Sequence, residues 1–258
     1  MLIPFDRIET VFLDAGNTLV SIQFDKVAAG LATLGVEVDL DSLRRAEAAS
    51  RPAISKRLAA GPWRGPEEPF VVYLRGILAE LGRRQPGADG QLASLATRLA
   101  PILRGARASD LWSEVMPRVP ESLATLKSLG LRLAVVSNSD GTAERMLRDV
   151  SLREYLDAVI DSAVVGCEKP DPEIFRHALR EVGAAPETTL HVGDLYEADV
   201  VGARRAGLHA LLLDPFGDWD AVDCAKIADV PALAAAMAQA RGARPTSRNP
   251  LAHPLTPR

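Results

Sequence analysis

The stretch of sequence that decides the fold lies at residues 11–19 and reads VFLDAGNTL. Its apolar start predicts a buried strand over residues 8–14 in the middle of a parallel sheet. The strand ends at a carboxylate, Asp14, and Gly16 and Asn17 form a turn directly after it. Residues 190–194, LHVGD, repeat this layout with Asp194 at the strand end, and Asp199 follows five residues later. Two carboxylates at strand ends suggest a magnesium-assisted nucleophilic site.

The rest of the chain divides into two kinds of pattern. Downstream of residue 113, apolar strands alternate with amphipathic segments, with strands predicted at 131–137, 158–161, 189–193 and 209–213. The helices predicted between and after them cover 120–129, 142–150, 171–182, 198–206 and 228–240. Residues 21–112 show helical spacing at 40–58, 70–81 and 91–103, without clear strands.

This alternation predicts an α/β fold, a doubly wound parallel sheet of Rossmann-like type with an inserted helical cap domain. The core domain combines residues 1–20 and 113–241, and the cap covers residues 21–112. The tail at 242–258 contains four prolines and few apolar residues, so we expect it to be disordered.

Composition excludes several classes of protein. The 258 residues carry a net charge of −4 and a pI of about 5.7, which gives no electrostatic basis for binding nucleic acid or an anionic membrane. No apolar run approaches the ~18 residues of a membrane span, and the N-terminus lacks the pattern of a signal peptide. Cys167 and Cys224 are too few for a disulfide framework. We therefore expect a soluble cytoplasmic protein with reduced thiols, either a monomer or a homodimer.

The carboxyl ends of parallel strands meet in one crevice, so Asp14, Ser137 and Asp194 should converge there. Asp14 is the natural nucleophile, because a carboxylate can attack phosphorus to form an acyl-phosphate. Asp14 and Asp194, with a main-chain carbonyl at Gly16, are candidate ligands for Mg²⁺. Asp199 is a fourth candidate for the metal site, through a bound water, or it orients Lys169.

Four further positions are candidates for catalysis or for binding the substrate. Lys169 suits the neutralisation of charge on the nucleophile and on the transferring phosphoryl group. Ser137 and Asn138 can donate hydrogen bonds to phosphate oxygens. Thr18 is also a candidate, although capping of the next segment is the simpler interpretation. His191, inside an apolar strand, is interpreted as a core residue.

The ordered set resembles the haloacid dehalogenase superfamily of phosphatases and related hydrolases over residues 8–215. Asp14 matches the nucleophile of the first motif, Ser137 the hydroxyl of the second and Lys169 the third, while Asp194 and Asp199 match the acidic fourth. The segment EKPDPEIF at 168–175 is especially similar to the family. The resemblance implies Mg²⁺ as cofactor, a small phosphorylated metabolite as substrate, and a subfamily I helical cap that supplies selectivity.

The sequence departs from the family pattern at Gly16. Family phosphatases usually have an Asp two residues after the nucleophile, which acts as general acid for the leaving group and then as base for water. General acid–base catalysis is typically worth ~10²–10⁴-fold, so hydrolysis of ordinary alkyl phosphates should be handicapped. Cap residues that could supply an acid instead are Glu47, Glu67, Glu68 and Tyr73.

Four functions therefore stay open. The first is a Mg²⁺-dependent phosphatase that favours good leaving groups, and the second is a phosphonate (C–P) hydrolase that uses Lys56 or Lys26 of the cap as a Schiff base. The third is a haloacid dehalogenase proper, and the fourth is a low-activity protein that binds a phosphate ligand. Cap side chains that could grip the substrate are Arg51, Trp63, Arg64, Tyr73 and Arg75.

Overall fold

The fold is built on a six-stranded, entirely parallel sheet, seen in a computed structural model that describes residues 3–59, 68–84, 91–104, 111–220 and 222–242. The strand order is β5-β4-β1-β6-β7-β8. The bounds are β1 Thr10–Leu13, β4 Arg132–Ser137, β5 Ala158–Asp161, β6 Thr189–Gly193, β7 His209–Leu213 and β8 Ala225–Ile227. The predicted doubly wound α/β fold is confirmed, and its central strand β1 is the one that directly precedes Asp14.

Helices cover both faces of this sheet. They are α6 Val119–Ser128, α7 Ala143–Asp149, α8 Ser162–Val165, α9 Pro172–Val182, α10 Gly202–Arg205 and α11 Val230–Ala240. Side chains of β1 alternate between two hydrophobic clusters, with Val11 and Leu13 on the face covered by α6 and α11 and Phe12 on the face covered by α9. This alternation is the period of two that a strand buried on both faces requires.

Five helices in the described part of residues 23–104 form what we call the helical layer. They are α1 Phe24–Thr33, α2 Leu40–Ala59, α3 Pro69–Arg84, α4 Gln91–Ser94 and α5 Ala96–Leu103. Their apolar side chains pack into a hydrophobic cluster of their own, which includes Leu31, Leu43, Leu78 and Leu99. Helix α2 also reaches the sheet region, where Arg45 forms a two-point ion pair with Asp218.

The structure corrects several sequence-based boundaries. The predicted helix at 91–103 is broken at Leu95 into α4 and α5, and a π-helical turn over Tyr196–Val201 precedes α10. The strands missing from the prediction at the ends of the helical segment are β2 Val20–Ile22 and β3 Trp112–Val115. These two pair with each other, antiparallel, so their stability comes from a contact across about ninety residues that no local pattern shows.

Some predictions fall on parts of the chain that the structure does not describe. Trp63, Arg64 and Glu67 lie outside the described residues, and so does the predicted tail from residue 243 onward. Within the described ranges, no helix is both long enough and apolar enough to cross a membrane.

Candidate active site

A cavity of about 880 Å³ opens at the carboxyl ends of the central strands, between the sheet and the helical layer. Asp14 directly follows β1, Ser137 ends β4 and Asp194 directly follows β6, and all three line this cavity. Each of the three is buried, and the main-chain amide of Asp14 continues the ladder by donating to the carbonyl of Val192. The topology therefore brings together residues that are up to 180 positions apart in the sequence.

The turn after Asp14 is held by main-chain hydrogen bonds that leave Gly16 out. The amide of Val20 donates to the carbonyl of Ala15, and the amide of Asn17 donates to the carbonyl of Val20. The carbonyl of Gly16 is therefore not consumed by the turn. Asn17 has a φ of 53°, in the left-handed region that Asn tolerates better than most residues.

Lys169 is the buried cation at the centre of the site. Its ammonium Nζ lies 2.6 Å from Asp14 Oδ1 and 2.7 Å from Asp199 Oδ1. Burial alone lowers the pKa of Lys169, but the two carboxylates outweigh it and raise the pKa above its ordinary value. Lys169 is thus held as a cation beside the candidate nucleophile.

Asn138 holds the main chain of Lys169 in place. Its amide Nδ2 donates to the carbonyl of Lys169 at 2.9 Å, and its Oδ1 accepts from the amide of Lys169 at 2.7 Å. Asn138 lines the cavity, yet both polar atoms of its side chain are engaged in this clamp. The geometry favours a positioning role for Asn138 over the predicted contact with substrate.

Both carboxylate oxygens of Asp199 are already engaged by neighbouring groups. Its Oδ1 accepts from Lys169 and lies 2.9 Å from His191 Nε2, while its Oδ2 accepts from the amide of Leu195 at 2.9 Å. Burial raises the pKa of Asp199, but Lys169 and the hydrogen bond from His191 outweigh burial and lower it. Of the two roles that the sequence left open, these contacts favour orienting Lys169.

Gly193 is required by the position of Asp199. A Cβ at residue 193 would lie 2.2 Å from the carboxyl carbon of Asp199, much closer than any normal contact. The Gly-Asp pair at the end of β6 therefore gives the Asp199 carboxylate room against the strand. His191 is buried as predicted, and its ring meets Phe175 edge-on at 4.9 Å.

Helix α2 brings a buried ion pair into the site. Arg51 donates from Nη2 to Glu47 Oε2 at 2.6 Å, and its Nε lies 3.3 Å from Asp194 Oδ2. Glu47 Oε1 accepts from Asn17 Nδ2 at 2.9 Å and from the Tyr73 hydroxyl at 3.3 Å. Burial, followed by the charge of Glu47, raises the pKa of Tyr73 well above its ordinary value. The helical layer and the strand ends therefore share one buried polar network.

The charges of this network leave room for a divalent cation. The buried carboxylates are those of Asp14, Glu47, Asp194 and Asp199, and the buried cations are Lys169 and Arg51. When all are ionised, the four carboxylates exceed the two cations by two negative charges. Burial, with a contribution from Asp14, raises the pKa of Asp194 to about 8 even though Arg51 opposes the shift. Asp194 is a carboxylate that lacks sufficient positive charge nearby.

The donor set fits Mg²⁺ bound partly through water and substrate. Within the described ranges, no three Asp, Glu, His or Cys side chains already stand in a metal-ligand arrangement. Mg²⁺ commonly takes only one or two carboxylates and fills the rest of its shell with water and phosphate oxygens. Asp14 and Asp194 with the Gly16 carbonyl match that pattern. Asn17 Oδ1, buried and without a partner among the described residues, adds an oxygen for a bound water.

The side-chain direction at Gly16 is occupied by an aromatic ring. A Cβ added at Gly16 would lie 3.1 Å from Cζ3 of Trp112 and 3.5 Å from its Cη2. The Trp112 ring lies 5.6 Å from the ring of Tyr73, centroid to centroid, and both residues line the cavity. A side chain added at position 16 would therefore press against the indole from its first atom.

The other predicted site residues fall into two groups, those that line the cavity and those that do not. Arg51, Glu47, Glu68 and Tyr73 line the cavity, whereas Thr18, Arg75, Lys26 and Lys56 are not part of its lining. The hydroxyl of Thr18 is buried without a hydrogen-bond partner among the described residues. The sequence analysis missed Trp112 and gave no role to the Asn17 side chain. The spacing of Glu47 and Arg51, one helical turn apart, is the signal that could have indicated their pairing.

Comparisons with known proteins identify the family of this chain. The family model for haloacid dehalogenase-like hydrolases matches residues 8–207, more than half of the chain. A haloacid dehalogenase-like hydrolase domain-containing protein 3 from Mus musculus is 42% identical over 100 residues, which cover 39% of this chain and 40% of that protein. The chain thus matches about two fifths of that relative's length.

Two longer similarities extend over most of the chain. A ribulose-1,5-bisphosphate 5-phosphatase from Halopiger xanaduensis is 27% identical over 222 residues, or 83% of this chain and 88% of that protein. The magnesium-bound crystal structure of the HAD-hydrolase YfnB from Bacillus subtilis has a TM-score of 0.61 at 19% identity, covering 90% of this chain and 99% of that one. At this identity the structural similarity supports the fold alone.

Proposed function

This chain is a hydrolase of the haloacid dehalogenase-like family, and from that premise we propose that it is a Mg²⁺-dependent phosphatase acting through an aspartyl-phosphate on Asp14. The observation that carries the proposal is the position of Asp14. Its carboxylate lies 2.6 Å from the Lys169 ammonium, and Asp14 lines the same cavity as Ser137 and Asp194. The proposed substrate is a small phosphorylated molecule.

In the first step, the Asp14 carboxylate attacks phosphorus and the bond from phosphorus to the leaving oxygen breaks. Lys169 and the Ser137 hydroxyl offset the negative charge on the transferring group, which is the main contribution of such fixed donors to catalysis. Asp14, Asp194 and the Gly16 carbonyl would hold Mg²⁺, which when bound would supply the charge neutralisation that lets a dianion approach a carboxylate. In the second step, water attacks phosphorus, returns Asp14 to its carboxylate form and releases phosphate.

The site offers no well-placed acid to protonate the leaving group. Gly16 has no acid to offer, and the carboxylate oxygens of Glu47 already accept hydrogen bonds from Asn17, Arg51 and Tyr73. The raised pKa of Tyr73 keeps its hydroxyl protonated, but this proton is directed at Glu47. The leaving group therefore departs without strong assistance, which favours leaving groups that are stable as anions.

The helical layer is proposed to act as the cap of this site. Helix α2 contacts the strand end at Asp194 through Arg51, and it contacts the π-helical turn through Ser55, which accepts from the amide of Glu197 at 2.9 Å. A cover that excludes water protects an acyl-phosphate from side reactions and strengthens the electrostatic interactions inside.

The phosphonate alternative lacks support in the geometry. A Schiff base needs a lysine in the cavity. Among the described residues that line the cavity, the only lysine is Lys169, which belongs to the core. Lys26 and Lys56 of the helical layer are exposed instead. Binding of a phosphate ligand with little turnover is the alternative that a specific observation favours, because Trp112 fills the place of a general acid.

The test is hydrolysis of p-nitrophenyl phosphate during a Mg²⁺ titration. This ester needs little protonation of its leaving group, so a missing acid should matter little. We expect metal-dependent turnover in the natural chain and in an exposed control, Asp25→Asn, and loss of turnover in Asp14→Asn. Undiminished turnover in Asp14→Asn would refute the proposal, and phosphate binding without any turnover would favour the binding alternative.

A further inference from the structure

The polar side chains that the helical layer contributes to the cavity are already paired with one another. Glu47 is bonded to Arg51 and Tyr73, as described above. At the rim, Glu68 forms an ion pair with Arg104, whose guanidinium also lies over the ring of Phe70 at 5.8 Å. Groups paired in this way are poor partners for the hydroxyls of a sugar or polyol, because binding would have to break an existing contact.

The surface that residues 23–115 leave for the part of a substrate beyond its phosphate is apolar, whereas the core adds the polar residues Ser139, Asp140 and Thr142 to the lining. Apart from those paired groups, the described residues between 23 and 115 that line the cavity are Ile54, Pro69, Phe70, Leu103, Leu111 and Trp112. Because Arg104 is neutralised by Glu68, the described lining offers no unpaired cation at the rim to hold a second phosphate. A singly phosphorylated, apolar molecule suits this surface best.

The aromatic part of the surface lies next to the nucleophile. Trp112 covers Gly16, two residues after Asp14, and its ring is inclined at 38° to that of Tyr73. In an in-line displacement, the leaving oxygen departs on the side of phosphorus opposite the attacking carboxylate. The group attached to that oxygen must therefore fit into the remainder of the cavity, which these two rings line.

We propose that the preferred substrates are aryl phosphates, in which a planar aromatic leaving group packs against Trp112 and Tyr73. This inference rests on the proposed phosphatase function. The Asp14 oxygen bonds to phosphorus, and the bond between phosphorus and the aryl oxygen breaks with its electron pair leaving on a phenolate. Water then releases dihydrogen phosphate and restores Asp14, and the phenolate takes its proton from this product or from solvent.

The same two rings explain how the site works without an acid. A phenol is a far stronger acid than an alkyl alcohol, so a phenolate needs no proton as it departs. An apolar wall at Gly16 in place of a carboxylate also removes a like charge from beside the phosphate. The missing acid and the aromatic wall therefore both favour aryl phosphates as substrates.

Four phosphate compounds, three esters and one acyl phosphate, separate leaving-group ability from aromatic recognition. p-Nitrophenyl phosphate is aromatic with a good leaving group, and acetyl phosphate is a non-aromatic counterpart. Benzyl phosphate is aromatic with a poor leaving group, and glycerol 3-phosphate is its non-aromatic counterpart. We expect kcat/KM to be about tenfold or more higher for the aromatic member of each pair, since aromatic contacts add to the burial of apolar area. Trp112→Leu should reduce both ratios, whereas Trp219→Phe, a buried tryptophan outside the cavity, should preserve them.

A binding measurement keeps this inference separate from the proposed function. Titration calorimetry in Mg²⁺ should show that phenylphosphonate binds the natural chain about tenfold or more tightly than methylphosphonate. If phenylphosphonate binds no better, and Asp14-dependent hydrolysis proceeds equally on both members of each pair, the aromatic inference is wrong and the phosphatase stands. If no ester is hydrolysed but the preference for phenylphosphonate persists, the phosphatase proposal fails and the aromatic pocket stands.

Discussion

Restoring an acid at position 16 should help this protein only when Trp112 is made smaller. A Cβ at residue 16 would lie 3.1 Å from Trp112 Cζ3, a few tenths of an ångström inside ordinary contact, and a carboxylate extends further. Overpacking of a close-packed site costs about 1–3 kcal/mol, so Gly16→Asp alone should lower the free energy of unfolding by that amount. In Gly16→Asp/Trp112→Leu the smaller side chain gives the carboxylate room.

The gain in rate should depend on the leaving group. A positioned general acid contributes ~10²–10⁴-fold, so the double variant should hydrolyse glycerol 3-phosphate ~10²-fold or more faster than Trp112→Leu alone. The change with p-nitrophenyl phosphate should be much smaller, because its leaving group hardly needs a proton. Steady-state kinetics on both esters and urea unfolding of all variants measure these effects, with Gly16→Ala as the control that adds the Cβ without the acid.

Two results would refute this reasoning. If Gly16→Asp alone were as stable as the natural chain and gained the full rate on glycerol 3-phosphate, Trp112 would not be filling the space of the acid. If the double variant stayed folded and active on p-nitrophenyl phosphate without any gain on glycerol 3-phosphate, position 16 would not direct an acid at the leaving oxygen.

Lys169→Met should abolish turnover and lower the free energy of unfolding by about 3–5 kcal/mol, since it leaves buried carboxylates without their cation; near-native stability in urea would contradict this. Gly193→Ala should yield an inactive, unstable protein because its Cβ meets Asp199 at 2.2 Å, whereas Gly76→Ala in α3 meets only ordinary contacts and should raise stability by about 1 kcal/mol; equal melting temperatures would exclude this difference. Burial of Asp157 would raise its pKa, but hydrogen bonds from a lysine and a main-chain amide outweigh burial and lower it. The Asp157 carboxylate therefore stabilises the fold above the unfolded pKa of about 3.9, and this contribution is lost as the pH falls through the folded pKa. The destabilisation caused by Asp157→Asn should therefore shrink from pH 7 to pH 3, and a constant difference in thermal unfolding would argue against the shift.

The main features of the fold were predictable from local patterns. Alternating apolar strands and amphipathic helices determine a doubly wound sheet, because each element buries the face that its own spacing creates. The strand-end positions of Asp14 and Asp194 follow from the same patterns, since carboxyl ends of parallel strands meet in one crevice. The short pair β2 and β3 escaped prediction because three or four residues show no usable period.

The roles of particular side chains were decided by contacts between distant segments. Arg51 reaches Asp194 across more than 140 positions, and nothing in the spacing of helix α2 separates this buried contact from a solvated helix face. The position of Asp199 in the sequence predicts a metal ligand, but in the structure its oxygens accept from Lys169 and from a main-chain amide.

The clearest case is the missing acid. The sequence by itself determined that residue 16 is Gly, and it predicted that a nucleophile, a cation and a second carboxylate meet in one site. Only the tertiary structure decided that Trp112, 96 positions away, fills the space beside it. The physical reason is that periodicity reports which face of an element is buried, whereas the identity of the atoms packed against a residue depends on how separate elements meet.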